Sequence, residues 1–364
     1  MATGIVAAMC GPADIRLKEF DVPEPGPGSV LLKIRRANVC GSDVHIFHYE
    51  SPALRQAVLG HEFVGEILAL GEGVETDFAG QRVAVGDRVV PVYYLTCRRC
   101  PSCQRGEFHQ CQNGLREWSA PPEAAPHFRG GFATHYMVHP DQYFYRVPES
   151  LADNVVAGAN CGLAQVLFAL DRIGLRAGET LAIQGAGGLG LYASAVGREL
   201  GARVIVIERE PERLQLAARF GAHELIDMTA LPTTEARVAQ VQKLSHGQGA
   251  DVVLEVTGVA AAFPESLGLV RTGGRVVSMG NINVGAGHEV ALAPGLLTRK
   301  NARVHGYLRY DPWYLQRALD FLVAAGDRYP FGELSDRDFT LSQITEALLS
   351  GERRSVARAA VAMP

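Results

Sequence analysis

The rhythm of apolar and polar positions changes twice along this chain. Up to about residue 160 the apolar runs are short: Ile5–Ala8, Val30–Ile34, Phe63–Leu70 and Arg88–Val92. Turns rich in Gly, Pro and Asp, such as Pro25-Gly26-Pro27-Gly28, separate them, and such punctuation predicts β-strands. From about 162 to 298, the strand-like runs Thr180–Gln184, Val204–Ile207, Val252–Val256 and Arg275–Met279 alternate with helical segments. That alternation predicts a parallel sheet wrapped by helices. After Lys300 come a strand-like run, Val304–Leu308, and amphipathic helices around Trp313–Ala324 and Ile344–Leu349. These need a partner surface, and the β-rich first part is the natural one. The expected organisation is therefore 1–161 as one domain, 162–298 inserted within it, and 299–364 returning to the first, with a cleft between the lobes.

The stretch from Thr180 to Glu210 reads as strand, glycine-rich turn, helix, strand. Gly185, Gly187 and Gly190 fall in G-x-G-x-x-G spacing, with Gly188 and Leu189 between them. The first glycine permits the tight turn, the second admits a pyrophosphate close to the backbone, and the third lets helix pack on strand. The helix start from about Leu191 offers N–H groups and partial positive charge to that pyrophosphate. Glu208 closes the second strand, where a carboxylate accepts hydrogen bonds from the adenosine ribose. A glycine turn alone serves packing as readily; strand, helix, second strand and terminal acid together favour dinucleotide binding.

Length and charge narrow the picture. At 364 residues the chain has room for about two domains. A net charge of -4 and a pI near 6.3 give no footprint for nucleic acid or an anionic membrane. No apolar run reads as long enough to cross a bilayer. The start, MATGIVAAMC, lacks a basic n-region and reads as a first strand, so the expected location is cytoplasmic. Seven cysteines then matter because of their placement. Cys97, Cys100, Cys103 and Cys111 form one tight cluster, and in a reducing compartment such spacing argues for metal rather than disulfides. Four thiolates satisfy tetrahedral zinc and leave no open position, a structural site. An iron–sulfur cluster or plain thiols are the competing readings.

A second set is dispersed: Cys40 in Cys40-Gly41-Ser42-Asp43-Val44-His45, His61 in Gly60-His61-Glu62-Phe63, and Cys161 where the inserted domain begins. Two thiolates and an imidazole match a catalytic zinc whose fourth position stays open. Singly, a buried Cys is more often a small hydrophobe and a lone His a structural one. Their conjunction with a nucleotide domain and a closed cysteine lobe favours the metal.

Taken together these residues closely resemble the zinc-containing medium-chain alcohol dehydrogenase family, essentially end to end. The likeness includes Gly60-His61-Glu62, the cysteine lobe, Gly130-Gly131-Phe132-Ala133, the glycine turn and Asp251–Gly258. The resemblance implies an α/β fold: a Rossmann doubly wound parallel sheet inserted into a GroES-like β-rich catalytic domain, with a structural-zinc lobe at 93–115. It implies catalytic zinc on Cys40, His61 and Cys161, with Glu62 near enough to approach the metal. Ser42 and His45 fall at the proton relay, and Asp43 where a carboxylate buttresses the zinc-bound histidine. Tyr93 matches a wall of the substrate pocket. The expected metal content is two zinc ions per chain, one catalytic and one structural.

For the cofactor, Glu208 repels a 2′-phosphate and favours NAD. Arg213 resembles the family's basic residue near the ribose, whereas Arg209 could serve NADP. Gln165, Thr257, Gly280 and Asn281 are expected to line the cofactor site, and Arg358 is a pyrophosphate candidate. Cys161 stands where polyol-type relatives often carry a glutamate, against a sorbitol or threonine dehydrogenase. Gln81–Val85 reads as an insertion, and the proline-rich Trp118–Arg129 loop suggests a substrate less generic than ethanol. With Phe47, Tyr93 and Trp118 as an apolar pocket, the expected substrate is a bulky or cyclic secondary alcohol and its ketone. Family precedent suggests a homodimer or homotetramer. Two other readings compete: a zinc-free NADPH-dependent enone or quinone reductase, and a non-catalytic nucleotide-binding redox sensor using Cys10. The first conflicts with Cys40, His61, Cys161 and Glu208 taken together.

Overall fold

Strand Val30–Asn38 is the hub around which the first half of the chain is built. Its burial alternates only in the middle, VLLKIRRAN reading buried at both ends with Lys33 and Arg35 exposed. It pairs antiparallel with Glu62–Leu70 along its whole length. On its other edge His135–Val138 joins at the Val30 end and Ala359–Ala362 at the Asn38 end. Arg88–Pro91, Phe144–Arg146 and Arg337–Phe339 complete a seven-stranded sheet, and Thr3–Gly11 with Asp14–Asp21 forms a separate hairpin. The core under this sheet takes Val30, Leu32, Ile34, Phe63, Phe128 and Phe132, all within 1% of full burial.

The computed structural model describes residues 2–48, 54, 56–285, 287–335, 337–352 and 358–363. They divide into two compact units. One comprises Met1–Ala164, Asp311–Gly326 and Phe331–Pro364; the other comprises Gln165–Tyr310 and Asp327–Pro330.

The second unit carries a six-stranded, all-parallel sheet. In spatial order the strands are Glu224–Asp227, Arg203–Glu208, Thr180–Gln184, Ala250–Glu255, Val270–Ser278 and Arg303–Gly306. Counted within the unit this is order 3-2-1-4-5-6, the doubly wound Rossmann arrangement that binds ligands where the order reverses. The central strand Thr180–Gln184 is buried at every position, as a strand with helices on both faces must be. The expected α/β class, a Rossmann sheet inserted into a GroES-like β-rich domain, is what the two units display.

Two sequence expectations are corrected here. The run read as Val304–Leu308 forms strand Arg303–Gly306 and pairs parallel with Val270–Ser278. It therefore belongs to the nucleotide sheet, and the second unit continues to Tyr310, past the boundary read at 298. One helical run, Asp153–Ile173, is also long and apolar enough to cross a membrane, although none was expected; 78% of its most apolar window is buried inside the protein, the pattern of a core helix.

Candidate active site

Among the described residues of the first unit, two groups of side chains could each hold a metal ion. Ligand atoms of Cys40, His61, Glu62 and Cys161 lie within 4.8 Å of one another, and so do those of Cys97, Cys100, Cys103 and Cys111.

The first group is assembled by tertiary structure. Asn38 pairs with Glu62 across the central strands and with Ala360 on the other edge. That register sets Cys40, just beyond Asn38, beside His61, and sets Arg358, just before Ala359, beside Glu62. Cys40 precedes helix Gly41–Phe47, and its N–H donates to the Asp43 carboxylate at 2.9 Å. Gly60 donates to the same carboxylate at 3.2 Å. Its φ of +86° and the proximity of Phe132 N, 2.6 Å from where a Cβ would stand, admit only glycine. Cys161 lies in a turn of π-helix, Ala159–Leu163, a wide turn often found at functional positions. The neighbouring Asn160 amide donates to the carbonyls of His61 at 2.8 Å and Pro91 at 2.9 Å, tying this turn to two strands. Sequence reading missed Asn160; nothing in its spacing distinguishes it from any polar residue near a helix.

The electrostatics are those of a cation site. Asp43, fully buried, meets His61 Nδ1 at 3.1 Å. With Nδ1 donating there, the Nε2 lone pair is available to a metal. Burial opposes a charged His61 ring, yet Asp43 and the Cys40 thiolate outweigh it and hold its pKa well above the ordinary value. Cys40 and Cys161 share a proton, which lowers the first thiol well below its usual range and, with burial, raises the second. Burial pushes Glu62 up to about 8 against the pull of Arg358. Glu62 Oε1 accepts from Arg358 Nη2 at 2.6 Å, while Oε2 is buried and has no hydrogen-bond partner. Two soft sulfurs, an oriented imidazole and a carboxylate oxygen with an unused lone pair fit zinc.

The second group is local. Cys100 N–H donates to the Cys97 sulfur at 3.3 Å, the Asn113 amide does so at 3.3 Å, and Cys97 N–H donates to the Cys111 sulfur at 3.4 Å. Backbone N–H groups and Asn113 hold the Cys97 thiol down to about 6, while burial raises Cys103 and Cys111. None of the described cysteines forms a disulfide. Four converging sulfurs with N–H···S support fit a closed tetrahedral ion.

Around His61 the other expected residues sort themselves out. Ser42 Oγ stands 3.4 Å from His61 Nε2, and His45 is half-buried in the last turn of the same helix. The rings of Tyr93 and Trp118 flank His61, with centroids 5.1 and 5.3 Å away. The Trp118 indole N–H is fixed on the Val58 carbonyl at 2.8 Å. Phe47, expected in the pocket, is 1% exposed and packs into the hydrophobic core instead. Arg358, expected at a pyrophosphate, is buried with its guanidinium on Glu62.

In the second unit, Gly185, Gly187, Gly188, Leu189 and Gly190 form the turn and first helical positions between Thr180–Gln184 and Gly188–Glu199. A Cβ on Gly190 would stand 1.9 Å from the Gly185 carbonyl, so helix and turn touch as the third glycine allows. Glu208 Oε2 accepts from Ala186 N at 2.8 Å, which sets the carboxylate against the glycine turn, and Oε1 accepts from Arg209 and Glu210. Arg209's own guanidinium is engaged by Glu210 at 3.0 Å, and Arg213 is half-buried in helix Pro211–Arg219. Across the switch point the buried Glu255, unremarked in the sequence, accepts from Thr257 N and Oγ1 at 2.8 and 2.7 Å. Gly280 N donates to the Glu255 carbonyl, Asn281 follows it, and Gln165 donates to the Tyr307 carbonyl at 3.2 Å.

Residues 26–149 match the family profile described as the alcohol dehydrogenase GroES-like domain, and residues 188–324 match that of the zinc-binding dehydrogenases. The chain is 34% identical over 339 residues to 5-exo-hydroxycamphor dehydrogenase of Pseudomonas putida, covering 92% of each. It superposes on an alcohol dehydrogenase from Thermotoga maritima with a TM-score of 0.92 at 29% identity over the full length of both. A Sinorhizobium meliloti structure bound to NADP matches with a TM-score of 0.84 at 28% identity, covering all of both chains.

Proposed function

The chain belongs to the zinc-containing medium-chain dehydrogenase family and is an oxidoreductase, and we propose that it interconverts a bulky secondary or cyclic alcohol and its ketone with NAD. The observation that carries this reading is the buried set of Cys40, His61, Glu62 and Cys161, whose donor atoms lie within 4.8 Å of one another. In it we assign catalytic zinc to Cys40, His61 and Cys161 with Glu62 in reserve, and structural zinc to Cys97, Cys100, Cys103 and Cys111.

When bound, zinc supplies Lewis acidity that lowers the pKa of an alcohol oxygen, and the nicotinamide supplies a hydride acceptor. The chain's own residues orient and carry protons. Asp43 holds His61 in the Nδ1–H tautomer, keeping Nε2 for the metal. Ser42, 3.4 Å from that nitrogen, is placed to take the alcohol proton. His45, one turn further along the helix and half-buried, hands it towards solvent, a task an imidazole can perform as both donor and acceptor. Tyr93 and Trp118 exclude water from the neighbourhood of His61.

The NAD preference rests on Glu208, whose carboxylate lies against the glycine turn and would repel a 2′-phosphate. Arg209 is the opposing feature, but Glu210 already engages it. The named activity of the Pseudomonas relative supports a bulky cyclic substrate. We place the enzyme in the cytoplasm, whose reducing pool keeps metal-binding thiols unoxidised, and propose a homodimer or homotetramer. Support for assembly comes from strand Arg303–Gly306, a sheet edge that exposes Val304, with Leu308 exposed just beyond it.

The test is a panel of ethanol, cyclohexanol, borneol and 5-exo-hydroxycamphor, each with NAD and with NADP, followed by absorbance of the reduced nicotinamide. The reading expects the cyclic secondary alcohols to exceed ethanol in kcat/KM and NAD to exceed NADP. Equal or better turnover of ethanol, or a preference for NADP, contradicts it.

A further inference from the structure

Tyr93 and Trp118 do more than flank His61. Both are also walls of a cavity of about 220 Å³ in the first unit, to which His61 itself does not contribute. The volume falls below the roughly 300–1,000 Å³ usual for sites that enclose a whole drug-sized ligand, so it suits a skeleton of one or two rings. Tyr94, Leu95 and Met137 add apolar wall.

Its polar end is built. Gln142, 3% exposed, spends both amide hydrogens, one on the Val92 carbonyl at 2.6 Å and one on the Tyr136 oxygen at 2.8 Å. Its own oxygen accepts from His139 N. The Tyr136 oxygen is therefore an acceptor towards Gln142, and its hydroxyl hydrogen remains to be given. Tyr136 is 7% exposed, and burial pushes its pKa up to about 12, so the hydrogen stays on. His139 Nδ1 accepts from Asp141 N at 2.9 Å, which leaves the ring hydrogen on Nε2 as a second donor. Burial holds this ring's pKa below the usual histidine value, so it is neutral at pH 7. Charge selects further. Glu24 and Glu117 line the cavity, and its one guanidinium, Arg129, is taken up by Glu117 at 3.1 Å and by the Ala124 and Ala125 carbonyls. An anion is disfavoured there; a neutral acceptor is not.

We propose that this cavity seats the end of the substrate remote from the reacting alcohol, and that this end is a neutral apolar ring system bearing a ketone, ester or ether oxygen that accepts from Tyr136 and His139. The proposal rests on the alcohol dehydrogenase reading for the word substrate, but the cavity and its donors stand without it.

Camphor, a neutral bicyclic ketone, is the probe. It is titrated into the zinc-loaded chain without cofactor, and binding is read by calorimetry and by tryptophan fluorescence, since Trp118 is a wall of the cavity. The proposal expects saturable binding that weakens about tenfold in Tyr136→Phe, severalfold in His139→Ala, and persists in Cys40→Ala. Binding lost in Cys40→Ala but unchanged in Tyr136→Phe would put the ketone on the metal set and overturn it. No saturable binding, or binding indifferent to Tyr136 and His139, overturns it equally. If Tyr136→Phe does not fold, as judged by its thermal transition, His139→Ala decides. Competition against borneol oxidation then separates a substrate seat from a detached site: camphor should raise KM and leave kcat alone, and a purely noncompetitive pattern contradicts the assignment. Absence of any alcohol turnover would fail the catalytic reading while leaving the binding result to judge the cavity.

Discussion

The two sulfur-bearing groups of the first unit, each able to hold a metal ion, bring their donor atoms together by opposite means. Cys97, Cys100, Cys103 and Cys111 come from one short loop, and their supporting N–H donors belong to the loop itself. Cys40, His61, Glu62 and Cys161 come from a strand end, the start of a second strand and a π-helical turn. Their supports are Asp43 from the helix that Cys40 opens, Asn160 from the same π-helical turn as Cys161, and Arg358 from just before the last strand. A local loop can saturate an ion with identical donors, as a closed site requires. A mixed set with one oriented imidazole and a carboxylate already shared with an arginine needs the whole domain to position it, and in exchange can leave a position open. On the proposed assignment, structural and chemical roles separate by how far apart in sequence the donors lie.

The sharpest break of this contrast is Cys40→Ala. Removing a thiolate from the mixed set should lower turnover by about 10³-fold or more, since the Lewis acid goes with it. The cysteine lobe should keep its ion and the thermal transition should move little. Steady-state kinetics beside thermal melts check this; near-normal turnover would put the ligands elsewhere.

Asp43→Asn is milder. Asparagine still accepts from His61 Nδ1 but brings no charge, so metal affinity at the mixed set should fall about 10–100-fold. Competition with a chelator reads this out, and the lobe's ion should be released no faster than in the unaltered chain. Release of both ions together would mean that the two groups are one cooperative unit.

The smallest effect is a pH dependence. Asp153 opens the helical segment that leads to Cys161 and ties it to two strands through Arg35 at 2.7 Å and Arg88 at 2.8 Å. Burial alone would raise its pKa, but the hydrogen bonds from Arg88 and Arg35 outweigh burial and depress it. A depressed carboxylate adds stability above its unfolded value, about 4, and that stability is lost as pH falls through the folded value. At pH 7 the protein should therefore melt higher than Asp153→Asn, and the gap should close as pH drops below about 4. A gap that widens on acidification would reverse the sign.

The same contrast explains what the sequence alone could tell. The cysteine lobe and the glycine turn are local: spacing carries them, and Thr180–Gln184 forms the expected strand residue for residue. The Rossmann alternation was equally legible, except at its last strand. Arg303–Gly306 is short and largely exposed, so its apolar pattern does not say which sheet it joins. Cys40, His61 and Cys161 could be picked out by residue type, but only strand register brings them together. Phe47 and Trp118 show the limit: both are aromatics near candidate ligands and both join the same core, yet of the two only Trp118 also has its ring near His61 among the described ring contacts, and one-dimensional spacing cannot separate those. The pairing of Arg358 with Glu62, 296 residues away, was equally out of reach of spacing. Asn160 and Glu255 work through buried hydrogen bonds to other elements, which leave no mark on composition or period.

The central claim is that the first unit holds two metal ions of unlike character, and metal content of the purified chain tests it most directly. The account predicts two zinc ions per chain, falling to one in Cys40→Ala, with the remaining ion showing an all-sulfur environment by X-ray absorption. A single zinc that persists unchanged in Cys40→Ala would contradict it.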